Sequence, residues 1–469
     1  MSVINTNVSS LIAQRALVQN NNSLSTSLQR LSTGLKINSG ADDPAGLIAS
    51  ETLKAEQTGI QTAISNASRA GNIIGTAEGG LNEVSSLLTQ MQGLVGQAAN
   101  SGGLSPDEVS ADQLQVDSIL STINRIAQST TFEGRQLLNG NLDYTTSGVT
   151  ASTLTDVKIN SAAIPDGSTV AVAVQVVSSG TTAAVGYTGG TITGSTVTLE
   201  VAGNLGTQQL SFASGTTVSS IATAINGVKN ATGLSAQVSG SDLRINSTQY
   251  GSAQFVSVKA VAGTVSGLST NEAFGTNANV TINGAAAEVN GLDVNYRASN
   301  LDVSLTLAKA FDKPGTKTFN ITGGGATFAL GSQVTEANKA SIGVASVSTG
   351  SLGSNSVGFL NTLGSGGTNS LNSGNLAVAQ QILSSAISQV ASLRGRLGAF
   401  QTYTIGSTVN SLGVAYENAS AAQSAIADTD FASETSNLTR DQILSQAATT
   451  VLAQANTMPD QALTLLKGG

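Results

Sequence analysis

Residues 442–466 read QILSQAATTVLAQANTMPDQALTLL, and Asp460 is the one charged residue among them. Apolar and small side chains recur there at alternating steps of four and three, which is the spacing of a coiled-coil helix; they are Leu444, Ala448, Val451, Ala455, Met458, Ala462 and Leu465. A single helix with so narrow an apolar stripe is only marginally stable in water. The stretch therefore predicts a helix that packs against another helix of equally low charge.

The first 35 residues supply such a partner. Five leucines follow one another at steps of 7, 4, 3 and 4, namely Leu17, Leu24, Leu28, Leu31 and Leu35. Between residues 2 and 35 the only charged side chains are those of Arg15 and Arg30. Because the two ends match in spacing and in low charge, we expect them to pair, which makes the helical part discontinuous in sequence.

Further helices are predicted next to both ends. Apolar residues at steps of mostly three and four run through 60–98 and again through 109–127. Ser105 can cap the second of these helices, because Pro106 suits the first helical position. Residues 376–400 carry two interleaved series of seven-residue steps, which again indicates a narrow helical stripe.

The middle of the chain differs in texture, since it is rich in Gly, Ser, Thr and Val. Alternation of apolar and polar residues near 170–176, 197–201 and 301–307 predicts strands, and 219–226 predicts one short helix. The sequence therefore predicts an α+β protein. Long, discontinuous, coiled-coil-like helical domains are built from both chain ends, and the central insert is mainly β, in two lobes.

Composition excludes several classes of function. The formal net charge is −8 and no basic stripe is present, which argues against a nucleic-acid partner. There is no Cys and no His, so thiolate sites and His-dependent catalysis are excluded. No enzyme activity, cofactor or metal is therefore expected, and the absence of a long uninterrupted apolar run predicts no membrane insertion.

The sequence TGLKINSGADDPAG at 33–46 separates the first two helical stretches. Gly34 can take the positive φ that ends a helix, and Asp43 before Pro44 fits a helix N-cap. Asp42 and Asp43 are adjacent carboxylates, which allows an acid–base dyad or a helix cap, and the cap is the preferred interpretation.

This stretch resembles the signature of bacterial flagellin. The residues that carry the resemblance are Arg30, Leu31, Ser32, Gly34, Leu35, Ile37, Asn38, Ser39, Asp42, Asp43, Ala45, Gly46 and Leu47. The last helix resembles the same family through Gln446, Ala447, Leu452, Ala453, Gln454, Ala455, Asn456, Pro459, Leu463, Leu465 and Leu466, and TTFEGRQLLNG at 130–140 does so too. Two departures are Glu133 in place of the usual Asn, and Thr402 and Tyr403 in place of an Asn-Arg pair.

The resemblance implies five segments along the chain. They are an N-terminal inner-core helix at 1–42, rod segments at 43–145 and 372–432, a variable insert at 146–371, and a C-terminal inner-core helix at 433–469. The seam of the terminal helices, through which subunits polymerise, is expected at Leu24, Leu28, Leu31, Leu35, Leu444, Ala448, Val451, Ala455, Leu463 and Leu466. The joint between core and rod is expected at Gly34, Asn38, Asp42, Asp43 and Gly46.

By the same resemblance, the chain is a subunit of the bacterial flagellar filament, exported unfolded and assembled outside the cell into a helical homopolymer. The implied partners are other copies of the chain, an export chaperone, the cap and hook-filament junction proteins, and the flagellar type III export apparatus.

A site for an innate flagellin receptor is often present in this family, and the matching stretch is LTQMQGLVGQAAN at 88–100. Leu88 and Leu94 agree with the family, whereas Gln90 stands where an arginine is usual. Because an arginine anchor can contribute several kcal/mol at an interface, we expect weak receptor signalling.

Two other functions remain open from the sequence. The hook-filament junction protein shares the terminal helices but matches the two signatures less fully. An enzyme or a glycan-binding adhesin in the insert is the other alternative. A metalloprotease insert needs the histidines of an H-E-x-x-H helix, and the chain has no His. A glycan-binding face normally uses exposed aromatics, and the insert has few Tyr and Phe and no Trp.

Overall fold

The computed structural model describes residues 6–467, except 101–102, 166, 189–190, 193–194, 266 and 268–271, and it describes 460–463 and 465–467 by their backbone. The chain divides into two compact units. The first unit holds the described residues of 1–66, 330–334 and 407–469. The second unit holds those of 67–329 and 335–406.

The long helices lie toward the two ends of the chain, as the sequence predicts, and two short α-helices of the described residues lie in the insert. Their bounds are α1 (Val8–Thr33), α2 (Pro44–Ala98), α3 (Pro106–Ser129), α4 (Val218–Gly227), α5 (Lys229–Thr232), α6 (Leu376–Ala399), α7 (Ser407–Ala427) and α8 (Phe431–Lys467). A π-helix, Phe400–Gly406, connects α6 to α7. The predicted cap of α3 is confirmed, because the Ser105 hydroxyl accepts from Glu108 N and the Glu108 carboxylate accepts from Ser105 N at 2.7 Å.

The strands lie between α3 and α6. Their bounds are β1 (Thr131–Phe132), β2 (Arg135–Gln136), β3 (Tyr144–Ser147), β4 (Leu154–Ala162), β5 (Val170–Ser178), β6 (Thr182–Thr188), β7 (Val197–Gly203), β8 (Gly206–Phe212), β9 (Leu234–Ser239), β10 (Asp242–Tyr250), β11 (Phe255–Ala262), β12 (Ala273–Phe274), β13 (Asn279–Ile282), β14 (Ala285–Ala286), β15 (Glu288–Asn290), β16 (Asp293–Arg297), β17 (Leu301–Leu307), β18 (Gly315–Gly324), β19 (Ala326–Ala329), β20 (Lys339–Ile342), β21 (Gly353–Ser354) and β22 (Gly358–Phe359). All pairings among the described strands are antiparallel.

The insert contains two hydrophobic cores. The first lobe packs the sheet β14-β13-β5-β18-β3 with the sheet β15-β16-β17-β4, around residues such as Val174, Val303 and Phe319. The second lobe packs the sheets β6-β10-β9 and β12-β11-β7-β8 with α4, around residues such as Val201 and Ile225. Period-two burial in β7 and β17 explains why alternation in the sequence identified these strands.

The helices of the second unit bury the stripes that the sequence predicts. In α2 the fully buried residues include Ala67, Ala70, Leu81, Val84, Leu88 and Met91. α6 buries Ala379, Ile382, Leu383, Ala386, Val390, Leu393 and Leu397, and the Arg394 side chain pairs with Glu78 of α2 at 2.8 Å. Gln113 of α3 holds the loop before α6, because its amide accepts from Leu371 N and donates to Leu363 O.

The predicted segment boundaries stay a prediction, and several of them fall inside elements. The predicted start of the insert at 146 lies within β3, and 433 lies within α8. The two compact units instead divide α2 between residues 66 and 67 and end the second unit at 406, where the π-helix ends.

One helical stretch among the described residues, Leu376–Ala427, is long and apolar enough by composition to cross a membrane, with a mean hydropathy of 1.2. The sequence predicted no such stretch, because polar residues interrupt it throughout. In α6 those polar residues lie on the side opposite the buried stripe, which is the pattern of a helix that packs against protein.

Two neighbouring glycines of α2 give a matched test of this packing. A Cβ on Gly79 meets open space, so Gly79→Ala should stabilise the chain by about 0.5–1 kcal/mol through the lower entropy of the unfolded state. A Cβ on Gly80 would lie 2.7 Å from Thr130 Oγ1 and 2.8 Å from Leu138 Cδ1. Leu138 is fully buried, so Gly80→Ala should destabilise the chain by about 1–3 kcal/mol. Urea unfolding of both variants measures the difference, and equal effects would contradict the packing described.

Candidate self-assembly surface

The first and last helices of the chain pair with each other in antiparallel orientation. The Asn7 side chain donates to Ala455 O, and the Ser10 hydroxyl donates to Asn456 Oδ1, both at 2.7 Å. Farther along, the Ser445 hydroxyl donates to Asn21 Oδ1 at 2.8 Å. From Asn7 and Ser10 to Asn21 along α1, the partner positions in α8 fall from 455 and 456 to 445, so the two terminal helices meet as the sequence predicts.

Small side chains line the contact between α1 and α8. Ala13, Ser27, Ala448 and Ala455 are buried there, which allows the two backbones to approach closely. Leu24 and Leu31 are half-buried on the same side of α1. Polar hydrogen bonds and small residues, more than a row of leucines, therefore hold the pair together.

The structure divides the predicted seam into two sets. Leu24, Leu31, Ala448 and Ala455 lie at or near the contact between α1 and α8, whereas Leu28, Leu35, Leu444 and Val451 are exposed. Leu463 and Leu466 have side chains outside the described part of the chain. Apolar spacing in a sequence does not show whether the partner helix lies in the same chain or in another chain. The spacing therefore predicted both sets as one seam.

Leu444 and Val451 belong to a larger apolar surface, here called the outer apolar face. It consists of Val8, Leu11, Ile12 and Val18 on α1 and of Ile443, Leu444, Val451 and Met458 on α8, each exposed by 43–64%. At about 100° per residue, the α1 members lie on the side of the helix opposite Ala13 and Ser27. The α1 side chains therefore point away from the contact between α1 and α8. On α8, Leu444, Val451 and Met458 lie within about 80° of Ala448 and Ala455 and so flank the contact, whereas Ile443 lies farther round the helix.

Charges are few near this surface and gather in one groove. The groove has a volume of about 520 Å³ and runs between α1 and α8. Its lining includes Arg15, Arg30, Glu434, Arg440 and Asp441. Arg30 lies 3.9 Å from the largely buried carboxylate of Glu434, which places an ion pair at the end of α1 that is nearest the joint.

The joint begins at Gly34, whose φ of +74° ends α1 in the left-handed conformation. The Asn38 side chain donates to Leu35 O at 2.8 Å. The Asp42 carboxylate accepts from Ser39 N, Asn38 N and the Ser39 hydroxyl at 2.8, 3.1 and 3.0 Å. The hydrogen bond from the Ser39 backbone, above all, lowers the pKa of Asp42, so the turn is built around a carboxylate that stays ionised.

Asp43 has a different task from Asp42. Its carboxylate accepts from Gly46 N at 2.9 Å and so caps α2. A Cβ at Gly46 would lie 2.5 Å from Asp43 Oδ2 and 2.6 Å from Ile37 Cδ1, which explains the glycine. The two carboxylates accept hydrogen bonds from different parts of the turn, and they do not form a dyad. The described residues also contain no group of three or more acidic side chains that could hold a metal ion.

The joint is attached to the turn between α7 and α8, which the sequence did not single out. Lys36 N donates to Ala427 O at 2.7 Å, and Thr429 N donates to Gly34 O at 2.9 Å. Asp430 caps α8 by accepting from Ala432 N. An Asp immediately before the first residue of a long helix is a cap signal, so DTDF at 428–431 could have revealed this turn.

The stretch matched to the innate-receptor site lies in the second unit. Leu88 is fully buried in the helical core, Leu94 is half-buried and Gln90 is exposed. In this conformation Gln90 and Leu94 present surface to solvent and Leu88 supports the helix. Weak receptor signalling stays a prediction.

Comparison with known proteins agrees with this architecture at both ends. The family model described as the bacterial flagellin N-terminal helical region matches residues 4–143. The model described as the bacterial flagellin C-terminal helical region matches residues 380–466. The matched ranges contain α1, α2 and α3 at one end and α7, most of α6 and nearly all of α8 at the other.

Curated relatives extend the similarity over the whole chain. Flagellin D of Vibrio anguillarum is 30% identical over 468 residues, which cover 99% of each chain. The B-type flagellin of Pseudomonas aeruginosa is 30% identical over 522 residues, with 99% of each chain covered. The solved structure of FliC from Burkholderia pseudomallei covers 71% of this chain and 99% of its own, at 17% identity and a TM-score of 0.23. On the full-length identity to curated flagellins, together with both terminal family models, the chain belongs to the bacterial flagellin family.

Proposed function

We propose that the outer apolar face of α1 and α8 is the surface through which this flagellin polymerises. As a member of its family, the chain is a structural subunit of the extracellular flagellar filament and not an enzyme. The observation that carries the proposal is the exposure of eight large apolar side chains on two helices that already have each other as partners.

The energetics favour a second copy of the chain as the partner of this face. Fully burying one such side chain contributes about 1.5–3 kcal/mol, so eight of them leave a large free energy unrealised in the free subunit. The terminal helices carry few charges, so a neighbouring copy that covers them has few charges to pair.

The arrangement of the surfaces suits an open polymer. The outer face of α1 lies opposite the side that contacts α8, so each pair of helices offers surface in more than one direction. Contacts between two different surface patches do not close on themselves in a dimer, and they generate a helical filament when the rotation does not close a ring.

The outer apolar face must be kept from aggregation before assembly. We propose that the chain travels unfolded through the flagellar type III export apparatus, after a chaperone has covered its terminal segments, and that it assembles between the hook-filament junction proteins and the cap. A chain without Cys cannot be cross-linked by disulfides on the way. Apolar segments of low charge at the ends are suitable ligands for a chaperone groove.

Replacing one residue of the outer apolar face should prevent growth of filaments. Ile443 is 64% exposed on α8. Ile443→Ser removes about 1.5–3 kcal/mol of burial from each contact, which corresponds to roughly a 10- to 100-fold higher critical concentration for seeded growth. Light scattering and electron microscopy after seeding measure this concentration.

The matched control is Val261→Ser. Val261 is 56% exposed on β11 of the insert and belongs to a different compact unit from the terminal helices. Its substitution should leave the critical concentration unchanged. If Val261→Ser inhibited growth as strongly as Ile443→Ser, the insert would be the main contact and the proposal would be wrong.

The joint should lose order when its central carboxylate is removed. Asp42→Ala deletes the acceptor for Asn38 N, Ser39 N and the Ser39 hydroxyl. Faster hydrogen exchange is expected at Lys36 N, which donates to Ala427 O across the joint. Because the folded-state pKa is lowered, the contribution of Asp42 is present above its unfolded pKa and is lost as the pH falls through the folded pKa. Ser39→Ala removes one of the three donors and should have a smaller effect; an effect equal to that of Asp42→Ala would contradict the role given to the carboxylate.

A further inference from the structure

The π-helix Phe400–Gly406 interrupts an otherwise α-helical stretch. π-helical turns are rare, and short ones inside α-helices often mark functional positions. Gln401, Thr402 and Tyr403 are exposed in succession, and Tyr403 is exposed by 77%. Ile405 is buried two residues later. The exposed residues therefore form an outward bulge between two inward-facing positions.

The spacing of inward-facing residues shows what the bulge contains. Before it, one series of buried or half-buried apolar positions runs through Leu383, Ala386, Val390, Leu393, Leu397 and Phe400, at steps of 3, 4, 3, 4 and 3. After it, Ile405, Val409 and Leu412 continue at steps of 4 and 3. The rhythm requires the next buried apolar position at 404, but Thr404 is polar and half-buried, and the buried apolar side chain is Ile405, five residues after Phe400. The π-helix thus holds one surplus residue.

We propose that the π-helix Phe400–Gly406 stores this surplus residue. From there the surplus residue can move into α7, which shifts α7 by one residue against its packing partners without breaking the helix. The surplus residue can move along an α-helix one position at a time. At each step one residue rotates by about 100° about the helix axis, and only the backbone hydrogen bonds next to it are exchanged. The inference goes beyond polymerisation, because it concerns the free subunit and is measured there.

α6 is anchored more firmly than α7, and this difference determines into which of the two helices the surplus residue moves. α6 buries seven side chains and is held by the ion pair between Arg394 and Glu78. The Phe400 ring also contacts the Phe328 ring, with centroids 6.0 Å apart. α7, in contrast, buries only Ala419 and Ala427. Small buried side chains lose little on rotation, so the surplus residue moves into α7 and not into α6.

Deleting Tyr403 tests the proposal directly. The deletion restores steps of four and three through the whole stretch and removes a side chain with little packing. The shortened chain should keep its cooperative unfolding transition at an unchanged or higher urea midpoint. In the parent chain the amides of 401–407 should exchange about tenfold or more faster than those of 386–397, and the deletion should remove this difference.

Two controls are needed. The first separates the loss of one residue from the loss of the Tyr403 side chain, and the second tests whether a helix in this chain tolerates any one-residue deletion. Tyr403→Ala keeps the surplus residue, so fast exchange at 401–407 should persist. Deleting Ser388, an exposed residue of α6 between Ala386 and Val390, puts the buried stripe out of phase. That variant should lose the cooperative transition or unfold at a clearly lower urea concentration.

Three results would overturn the proposal. The first is a loss of stability on deleting Tyr403 that matches the loss on deleting Ser388. The second is slow exchange at 401–407 in the parent chain. The third is slowed exchange in Tyr403→Ala equal to that in the deletion. None of these results bears on whether Ile443→Ser prevents filament growth, so failure here and failure of the polymerisation proposal are distinguishable.

Discussion

The close antiparallel contact between α1 and α8 is the interaction on which the other features depend. Alanine and serine side chains permit a short distance between the helices, and hydrogen bonds such as Ser10 to Asn456 fix their register. Because the contact itself needs only small residues, the large aliphatic side chains of the outer apolar face lie on the opposite side of α1, and those on α8 lie beside the contact or farther round the helix, where they stay exposed. The joint at 34–46 and the turn at 427–430 then hold the far end of the pair, so the contact is fixed at both of its ends.

Much of this architecture follows from periodicity in the sequence. Charge-poor stripes at both ends predicted that α1 and α8 pair, and alternation of Val and Leu predicted β5, β7 and β17. Ser105 and Asp43 were predicted as caps, because a short polar side chain directly before a helix can accept a hydrogen bond from a backbone N–H of the first turn. These features are local in sequence, or they match one segment to another by composition alone.

The remaining features depend on geometry that no local pattern contains. Leu28 and Leu31 stand three residues apart in one stripe, yet Leu28 is exposed and Leu31 is half-buried. Thr402 and Tyr403 depart from the family pattern only in residue type, and nothing in that departure indicates the π-helix that the structure has there. A surplus residue becomes visible only when burial on both sides of it is known, since several alternative apolar spacings fit the sequence equally well.

The second lobe of the insert is nested within the first. It occupies the chain between β5 and β13, and these two strands pair directly with each other. Thr181 and Thr276, where the chain enters and leaves the second lobe, are themselves bridged, with their hydroxyls 2.9 Å apart. A domain whose ends meet at one bridge can be exchanged for another without changing the fold that carries it. The subunit thus has a natural position for foreign sequence, which a polymer of many copies would display at high density.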